Sequence, residues 1–322
     1  MLSIEEYQNA FVTYLGDFSK LKEPKNLYEP VHYILNLGGK RLRPVLTLMS
    51  SEIFGSDFKK AMNAALSVEI FHNFSLIHDD IMDEAPLRRG KQTVHEKWDL
   101  NTGILSGDAM LILAYQLFEK YDLETFHSLA KLFSKTALEV CEGQQYDIDF
   151  EVRNDVAISE YLTMIESKTA VLLGASLKMG AIVAKASVED QNGIYEFGKN
   201  LGIAFQLQDD YLDAFGTADF GKKVGGDIEE NKKTFLYLKA LELASDKDKE
   251  ALLSLFSVKG QQEGKVEAVK QLFVKYQIPE LLLAEIEKYS LRAFESVEKL
   301  SISADNKEIF VNLGKSLMHR DR

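Results

Sequence analysis

Apolar residues recur every three or four positions along most of this chain, and this spacing predicts α-helices. Strict alternation of apolar and polar residues, which predicts strands, is scarce. No proline, the residue that most strongly breaks helices, lies between Pro86 and Pro279. One clear example of the helical spacing comprises Leu111, Tyr115, Phe118, Leu129, Leu132, Phe133, Ala137 and Val140. We therefore predict an all-α protein of about ten helices or more.

Clusters of glycine, aspartate and asparagine interrupt the helical pattern and predict the connections between helices. Two of the predicted helices are long and run from about Lys59 to Asp83 and from about Asp190 to Phe215. No low-complexity linker or change in composition separates one part of the chain from another, so we predict a single all-α domain over residues 1–322. The predicted breaks lie at 55–57, 88–92, 153–156, 189–193 and 215–233.

The charge balance narrows the possible partners. The chain has 38 Lys and Arg residues against 50 Asp and Glu residues, a formal net charge of −12, which disfavours binding to nucleic acid. Cys141 is the one cysteine, so an intramolecular disulfide and a cysteine-based zinc cluster are excluded, and a cytoplasmic location is expected. The N-terminus lacks signal-peptide features, and no uncharged apolar stretch approaches the ~18 residues that span a bilayer, so we expect no stable membrane insertion.

One acidic pattern occurs twice, as HDDIMD at 78–83 and QDDYLD at 208–213, each near the C-terminal end of a predicted long helix. Helical geometry places Asp79 and Asp83 one turn apart on one face, with Asp80 at the flank. Carboxylates crowded at a helix C-terminus repel one another and oppose the helix dipole, so cations would stabilise them. Each cluster alone could be a solvated acidic helix end, but two matching copies favour Mg²⁺ sites.

Two basic segments could hold phosphate groups. The segment LGGKRLRP at 37–44 places Lys40, Arg41 and Arg43 directly after two glycines, and LRRGK at 87–91 carries Arg88 and Arg89. Guanidinium groups present paired donors that suit phosphate oxygens. Taken singly, each segment could equally be an ordinary connection between elements, a glycine helix cap followed by a surface lysine or a solvated loop.

Several motifs in a fixed order resemble those of the trans-isoprenyl diphosphate synthases, the family of farnesyl, geranylgeranyl and longer polyprenyl diphosphate synthases. The motifs are GGKRLRP, SLIHDDIMD with LRRG, ESKTA at 166–170, FQLQDDYLD, and GKKVGGDIEENKKTF. The resemblance implies the isoprenoid-synthase fold, which is the class I terpenoid synthase helical bundle around a central cavity, and a homodimer. It also implies Mg²⁺-dependent, head-to-tail (1′-4) condensation of isopentenyl diphosphate with dimethylallyl, geranyl or farnesyl diphosphate.

The resemblance implies a role for each matching residue, with three Mg²⁺ ions when substrate is bound. The metal-binding residues would be Asp79, Asp80, Asp83, Asp209, Asp210 and Asp213, of which Asp79, Asp83 and Asp209 would be direct ligands. The allylic diphosphate would be held by Arg88, Lys168, Lys223 and Lys232. Isopentenyl diphosphate would be held by Lys40, Arg43, His72 and Arg89. The reaction centre would be lined by Lys168, Thr169 and Gln206, with Gln144 and Asp147 near metal-bound water. An ideal helix independently places His72 on the Asp79 face.

Product length should depend on the side chains below the first acidic motif. Helical geometry places Ser75 one turn below Asp79 and Phe71 two turns below it. The resemblance implies Phe74 as the main determinant and Ser75 as the second, although an ideal helix points Phe74 away from the Asp79 face. The aromatic residues argue against very long chains and Ser75 leaves more room than a strict C15 enzyme, so we predict C15–C20, leaning to geranylgeranyl diphosphate. Alternatively, both phenylalanines are ordinary core residues.

Two other functions are compatible with a related fold. A class I terpene cyclase would normally keep one aspartate-rich motif and pair it with an Asn/Ser/Glu triad, whereas QDDYLD, GGKRLRP and LRRG favour a chain-elongating synthase. A non-catalytic or regulatory subunit of a synthase would be expected to lack motif residues, and none of the main ones is missing.

Overall fold

The computed structural model describes residues 1–216, 224–257, 260 and 262–318, and most of these residues are helical, which confirms the predicted all-α class. The chain divides into two compact units. Unit 1 comprises Met1–Lys135 and Ala175–Asn192, and unit 2 comprises Thr136–Gly174 and Gly193–Arg322. The single domain over 1–322 stays a prediction. In the described part of the chain, no helix is both long enough and apolar enough to cross a membrane.

Unit 1 is built from helices and one small hairpin. The helices are α1 (Ile4–Phe18), α2 (Lys25–Leu35), α3 (Leu42–Ile53), α4 (Met62–Met82), α5 (Val94–Lys97) and α6 (Leu100–Gln116), with 3₁₀ turns at Phe58–Ala61 and Leu117–Lys120. The strands β1 (Leu87–Arg88) and β2 (Lys91–Gln92) pair antiparallel. Polar caps fix several helix starts; for example, the Asp99 carboxylate accepts the Thr102 N–H at 2.8 Å where α6 begins.

Helix α4 is the buried helix that carries the first acidic motif. Almost all of its side chains from Met62 to Phe71 are buried, so it is an interior helix rather than a surface helix. It packs closely against α6, where a side chain at Gly107 would put its Cβ 2.2 Å from Nε2 of His78. Glycine at this position therefore lets the two helices approach, and the close packing fixes the direction of the α4 side chains.

The remaining helices belong wholly or largely to unit 2, except α9, most of which belongs to unit 1. They are α7 (Leu123–Val152), α8 (Ile158–Ile165), α9 (Val171–Val183), α10 (Val188–Phe215), α11 (Gly226–Glu229), α12 (Phe235–Leu243), α13 (Asp246–Leu255), α14 (Lys265–Lys275), α15 (Ile278–Glu298) and α16 (Ala304–Met318), with a π-helical turn at Glu166–Ala170 between α8 and α9. Residues of α8, α10, α12, α14 and α15 share one apolar core, in which Phe235, Phe273 and Leu282 are buried.

The two predicted long helices are confirmed as α4 and α10, and the predicted breaks at 55–57 and 153–156 fall between helices. The predicted break at 189–193 is wrong, because these residues form the first turns of α10. The Ser187 side chain accepts the Asp190 N–H there, as an N-cap does. The cluster of polar residues therefore marks the start of a helix rather than a connection.

Candidate active site

The first acidic motif contains three aspartates in different environments. Asp79 is half-buried, Asp83 is exposed at the C-terminal end of α4, and Asp80 is buried. The guanidinium of Arg88 donates to Asp80, with Nε 2.9 Å and 2.8 Å from the two carboxylate oxygens and Nη2 2.7 Å from Oδ1. Asp80 is therefore held by an arginine, and metal binding by Asp79 and Asp83 stays a prediction. The metal role of Asp80 stays a prediction.

The β1–β2 hairpin connects the first acidic motif to the glycine segment before α3. Arg88 lies in β1, and Arg89 follows it with a positive φ of 52°. The Arg89 guanidinium donates to the carbonyl oxygen of Gly38, two residues before the exposed Lys40. The structure thus brings Arg89 beside the segment that carries Lys40, as expected for residues that share one diphosphate.

Arg43 and His72 lie together in unit 1, with Nη1 of Arg43 3.5 Å from Nε2 of His72. Burial holds the pKa of His72 well below its usual range, and the positive charges of Arg43 and Arg89 act in the same direction. The imidazole is therefore neutral at physiological pH. Its ring can accept a proton, or donate its N–H to an anion that binds beside it.

The second acidic motif also contains aspartates in unequal environments. Asp210 is buried and accepts a hydrogen bond from the Tyr161 hydroxyl. Burial raises the pKa of Asp210 well above its usual range, the Tyr161 hydrogen bond opposes this, and the carboxylates of Asp227 and Asp209 raise it further. Asp213 accepts the backbone N–H of Asp227 at 3.0 Å, which ties the motif to α11. Such crowding of negative charge is what a bound cation would relieve.

A cavity of about 130 Å³ in unit 2 brings several predicted residues together. Its lining includes the predicted reaction-centre residues and Asp210, together with side chains that the sequence reasoning had not selected. The lining side chains belong to Asp147, Tyr161, Met164, Ile165, Lys168, Thr169, Gln206, Asp210, Asp227, Lys232, Lys233 and Thr234. Of the basic residues predicted for the allylic diphosphate, Lys223 lies outside the described residues.

Lys168 owes its position to the π-helical turn. Its ammonium pairs with the carboxylate of Asp147 at 2.6 Å. A Cβ at Gly143 of α7 would lie 2.3 Å from the backbone nitrogen of Lys168, so only glycine allows the turn to pack this closely. π-Helical turns of this kind often occur at functional sites. Lys232 pairs with Asp227 at 3.7 Å and with Glu230 at 3.3 Å.

Gln144 lies one turn before Asp147 on α7 and is buried. Its side-chain oxygen has no hydrogen-bond partner in the described part of the chain, so a ligand or a bound water could use it. A contact of Gln144 and Asp147 with metal-bound water stays a prediction.

The predicted chain-length residues belong to a cluster of aromatic rings in unit 1. The Phe71 ring lies 5.5 Å from Phe74 and 5.1 Å from Phe133, and Phe133 in turn packs against Tyr115 at 4.6 Å. The Phe74 ring also packs against His78 at 4.8 Å, on the side of α4 that meets α6. The Ser75 hydroxyl donates to the carbonyl of His72 at 2.9 Å. Phe133 of α7, which joins Phe71 to Tyr115 and Phe118, was not predicted as a chain-length residue.

Sequence reasoning missed six residues of the unit 2 cavity, and two of them, Asp227 and Tyr161, interact with the second acidic motif. Asp227 lies in GGDIEENKK at 225–233, 14 residues after Asp213, and an aspartate close to two lysines was a usable signal. Tyr161 lies in an ordinary amphipathic segment 49 residues before Asp210. Nothing in its local pattern distinguishes it from a core residue.

The donor set agrees with Mg²⁺, because the candidate ligands are carboxylates and Mg²⁺ prefers oxygen ligands. The carboxylates of Asp209 and Asp227 contribute to the raised pKa of Asp210, so several carboxylate groups are crowded at this place. Within residues 1–216, 224–257, 260 and 262–318, no group of three or more His, Cys, Asp or Glu side chains is arranged to hold a metal ion.

The fold and the sites define a class of helical proteins that combine aspartate motifs on long helices with arginines and lysines suited to diphosphate groups. Comparison with known families makes the assignment specific. The polyprenyl synthetase family model matches residues 24–273, and the chain belongs to this family.

Individual relatives agree with the family assignment. The geranylgeranyl diphosphate synthase of Sulfolobus acidocaldarius is 36% identical over 315 residues, covering 95% of this chain and 94% of that protein. The crystal structure of a geranylgeranyl pyrophosphate synthase is 52% identical, with a TM-score of 0.95 and 99% of each chain covered. A polyprenyl synthase from Caulobacter crescentus, crystallised with calcium and isoprenyl diphosphate, is 25% identical, with a TM-score of 0.86 and coverage of 99% and 98%. These neighbours confirm the predicted isoprenoid-synthase fold.

Proposed function

We propose that this protein is a Mg²⁺-dependent prenyltransferase that joins isopentenyl diphosphate head to tail (1′-4) to an allylic diphosphate. The observation that carries the proposal is the unit 2 cavity, where Lys168, Thr169 and Gln206 lie beside Asp210 and Lys232. These residues come from separate segments, and each belongs to one of the motifs that resemble the synthases. The geranylgeranyl diphosphate synthases among the relatives support the same reaction class.

The basic residues would bind the diphosphate groups of both substrates and neutralise their negative charge. Lys40, Arg43 and Arg89 would hold isopentenyl diphosphate. The neutral His72 would donate its ring N–H to a diphosphate oxygen. Arg88, Lys168 and Lys232 would stabilise the negative charge that develops on the leaving diphosphate as the allylic C–O bond breaks. The double bond of isopentenyl diphosphate then attacks the allylic carbon, and the departed diphosphate accepts the proton that is lost. No carboxylate of the chain is assigned as a general base.

The acidic motifs would hold the metal. We assign the direct ligands to Asp79, Asp83 and Asp209, with Asp213 and the buried Asp210 beside them. When bound, Mg²⁺ would neutralise the diphosphate leaving group and make ionisation easier. The calcium and isoprenyl diphosphate in the Caulobacter crescentus polyprenyl synthase support a cation that binds together with substrate. Three ions per site is the count we propose.

The proposed product is a short-chain diphosphate, C15–C20, with geranylgeranyl diphosphate favoured. Phe71 and Phe74 pack against each other below Asp79, and Phe133 closes the cluster behind Phe71. Bulky, close-packed rings leave little room for a long chain to pass. The geranylgeranyl pyrophosphate synthase that is 52% identical supports the same length.

We further propose a homodimer that acts in the cytoplasm. Four large apolar side chains of α6 are exposed in the single chain, which is typical of a surface that another chain covers. They are Leu100, Ile104, Leu105 and Ile112, between 39% and 60% exposed. The single cysteine supports a reducing compartment.

Binding of the allylic diphosphate should require Mg²⁺. The aspartates that surround the proposed metal site repel a diphosphate until cations neutralise them. In a calorimetric titration with a non-hydrolysable farnesyl diphosphate analogue, we expect affinity to rise by roughly 100-fold when Mg²⁺ is added. Isopentenyl diphosphate is the matched control. Its proposed site contains the positively charged Lys40, Arg43 and Arg89, so its affinity should depend less on Mg²⁺. Equal affinity for the analogue with and without Mg²⁺ would contradict the proposed metal site.

One assay separates this function from the two alternatives. Diphosphate release should require isopentenyl diphosphate, an allylic diphosphate and Mg²⁺ together. A terpene cyclase would release diphosphate from the allylic substrate alone, and a regulatory subunit would release none.

A further inference from the structure

Two arginines of the GGKRLRP segment have different surroundings although they are only two residues apart. The Arg41 side chain is 4% exposed and pairs with the carboxylate of Glu69, which is 3% exposed. The same guanidinium donates to the carbonyl oxygen of Leu35. Arg43, by contrast, lies beside the ring of His72. Both residues carry a guanidinium group, but their different partners in the structure indicate different roles.

The buried ion pair is extended by a third side chain. Asn73 has no exposed surface, and its amide nitrogen donates to the Glu69 carboxylate at 3.0 Å and to the Glu69 carbonyl at 2.8 Å. Glu69 and Asn73 flank His72 on α4. Arg41 stands directly before α3, whose first turn contains Arg43. The network therefore connects the turn that carries Arg43 to the turn that carries His72.

Arg41 also holds an uncommon backbone conformation. Its φ of 48° and ψ of 36° are left-handed, a region that residues with a side chain rarely occupy unless the surroundings hold them there. The ion pair with Glu69 and the bond to Leu35 supply that restraint. A buried ion pair is weak evidence for stability in general, but it can impose one specific geometry. Here the imposed geometry is the start of α3.

We infer that Arg41, Glu69 and Asn73 form a positioning network that holds Arg43 and His72 in place for isopentenyl diphosphate, and that Arg41 itself does not contact the substrate. This inference rests on the proposed function, because it assumes that Arg43 and His72 bind that diphosphate. It assigns roles to three residues for which the family resemblance implied none. The positioning role predicts the opposite result from simple electrostatics.

The Glu69→Gln variant tests the sign of the effect. If Glu69 acted only as a nearby negative charge, its removal would strengthen the binding of a diphosphate. If it positions Arg43 and His72, its removal weakens binding. We expect the KM for isopentenyl diphosphate, and its Kd in a calorimetric titration without allylic substrate, to rise roughly 10- to 100-fold. The KM for farnesyl diphosphate and the kcat at saturating isopentenyl diphosphate should change less than about threefold.

Two further variants make the result decisive. Asn73→Leu leaves every charge in place and removes the side-chain amide that donates to Glu69, so a smaller rise in the same KM is expected. This variant decides the question if Glu69→Gln does not fold. Arg153→Met breaks the Arg153–Glu160 ion pair of unit 2 and should leave the KM for isopentenyl diphosphate unchanged. Unchanged or tighter binding in folded Glu69→Gln or Asn73→Leu would overturn the inference. A wild-type protein without isopentenyl-dependent product would instead overturn the proposed function.

Discussion

Replacing Asp79 by asparagine should lower kcat/KM for farnesyl diphosphate by about a thousandfold. Asparagine preserves the size and shape of the side chain but removes the negative charge that would bind Mg²⁺. Asp79 is half-buried and is one of the proposed direct metal ligands, so the loss of its charge should lower activity strongly. Steady-state kinetics at several Mg²⁺ concentrations would measure the loss, which added Mg²⁺ should only partly restore.

The same substitution should not destabilise the fold. Asp79 lies in the last turn of α4, where a negative charge opposes the helix dipole, so its removal should leave the thermal midpoint unchanged or slightly higher. Asp17→Asn, an exposed aspartate in α1, is the matched control and should change neither activity nor stability. If Asp79→Asn kept activity within about tenfold of the wild type, the first acidic motif would not be the metal site.

Replacing Phe71 by alanine should shift the product beyond C20. Phe71 is 1% exposed and packs against Phe74 and Phe133, so alanine opens a cavity where the growing chain is proposed to end. Phe74→Ala should also lengthen the product if that ring is part of the floor. Mass spectrometry of the products made from isopentenyl and farnesyl diphosphates would give the new length distribution.

This variant should also be less stable, by about 3–5 kcal/mol, because the buried ring is lost. Phe11→Ala removes an equally buried ring from α1 and should lower the stability in a similar way without altering product length. The pair of variants therefore separates a chain-length effect from general loosening. Unchanged product length in both Phe71→Ala and Phe74→Ala would make these phenylalanines ordinary core residues, the alternative that the sequence left open.

The long helices could be predicted because their apolar pattern is local. Helices α4 and α10 are continuous and free of proline, and each ends at its acidic motif. The prediction of a break at 189–193 was wrong because it also used only the local pattern. Serine, aspartate and asparagine are common both in turns and at helix starts. Only the packing of the following residues decides between the two.

The pairings within the sites could not be predicted, because they depend on where separate segments meet. The motif alone does not show that Asp80 is the partner of Arg88, because this pairing depends on the hairpin that turns Arg88 back onto Asp80. Arg41 and Arg43 are likewise indistinguishable until Glu69 is placed beside one of them. Sequence reasoning therefore found the residue types of the site but not the partner of each charge.

The central claim is that this chain elongates an allylic diphosphate with isopentenyl diphosphate. The most direct test is to incubate the purified protein with Mg²⁺, farnesyl diphosphate and isotopically labelled isopentenyl diphosphate, and to measure the mass of the product. We predict geranylgeranyl diphosphate that carries one labelled five-carbon unit, formed only when Mg²⁺ and both substrates are present. A product of C30 or longer would contradict the proposed chain length. Unlabelled product, or none at all, would contradict the proposed reaction.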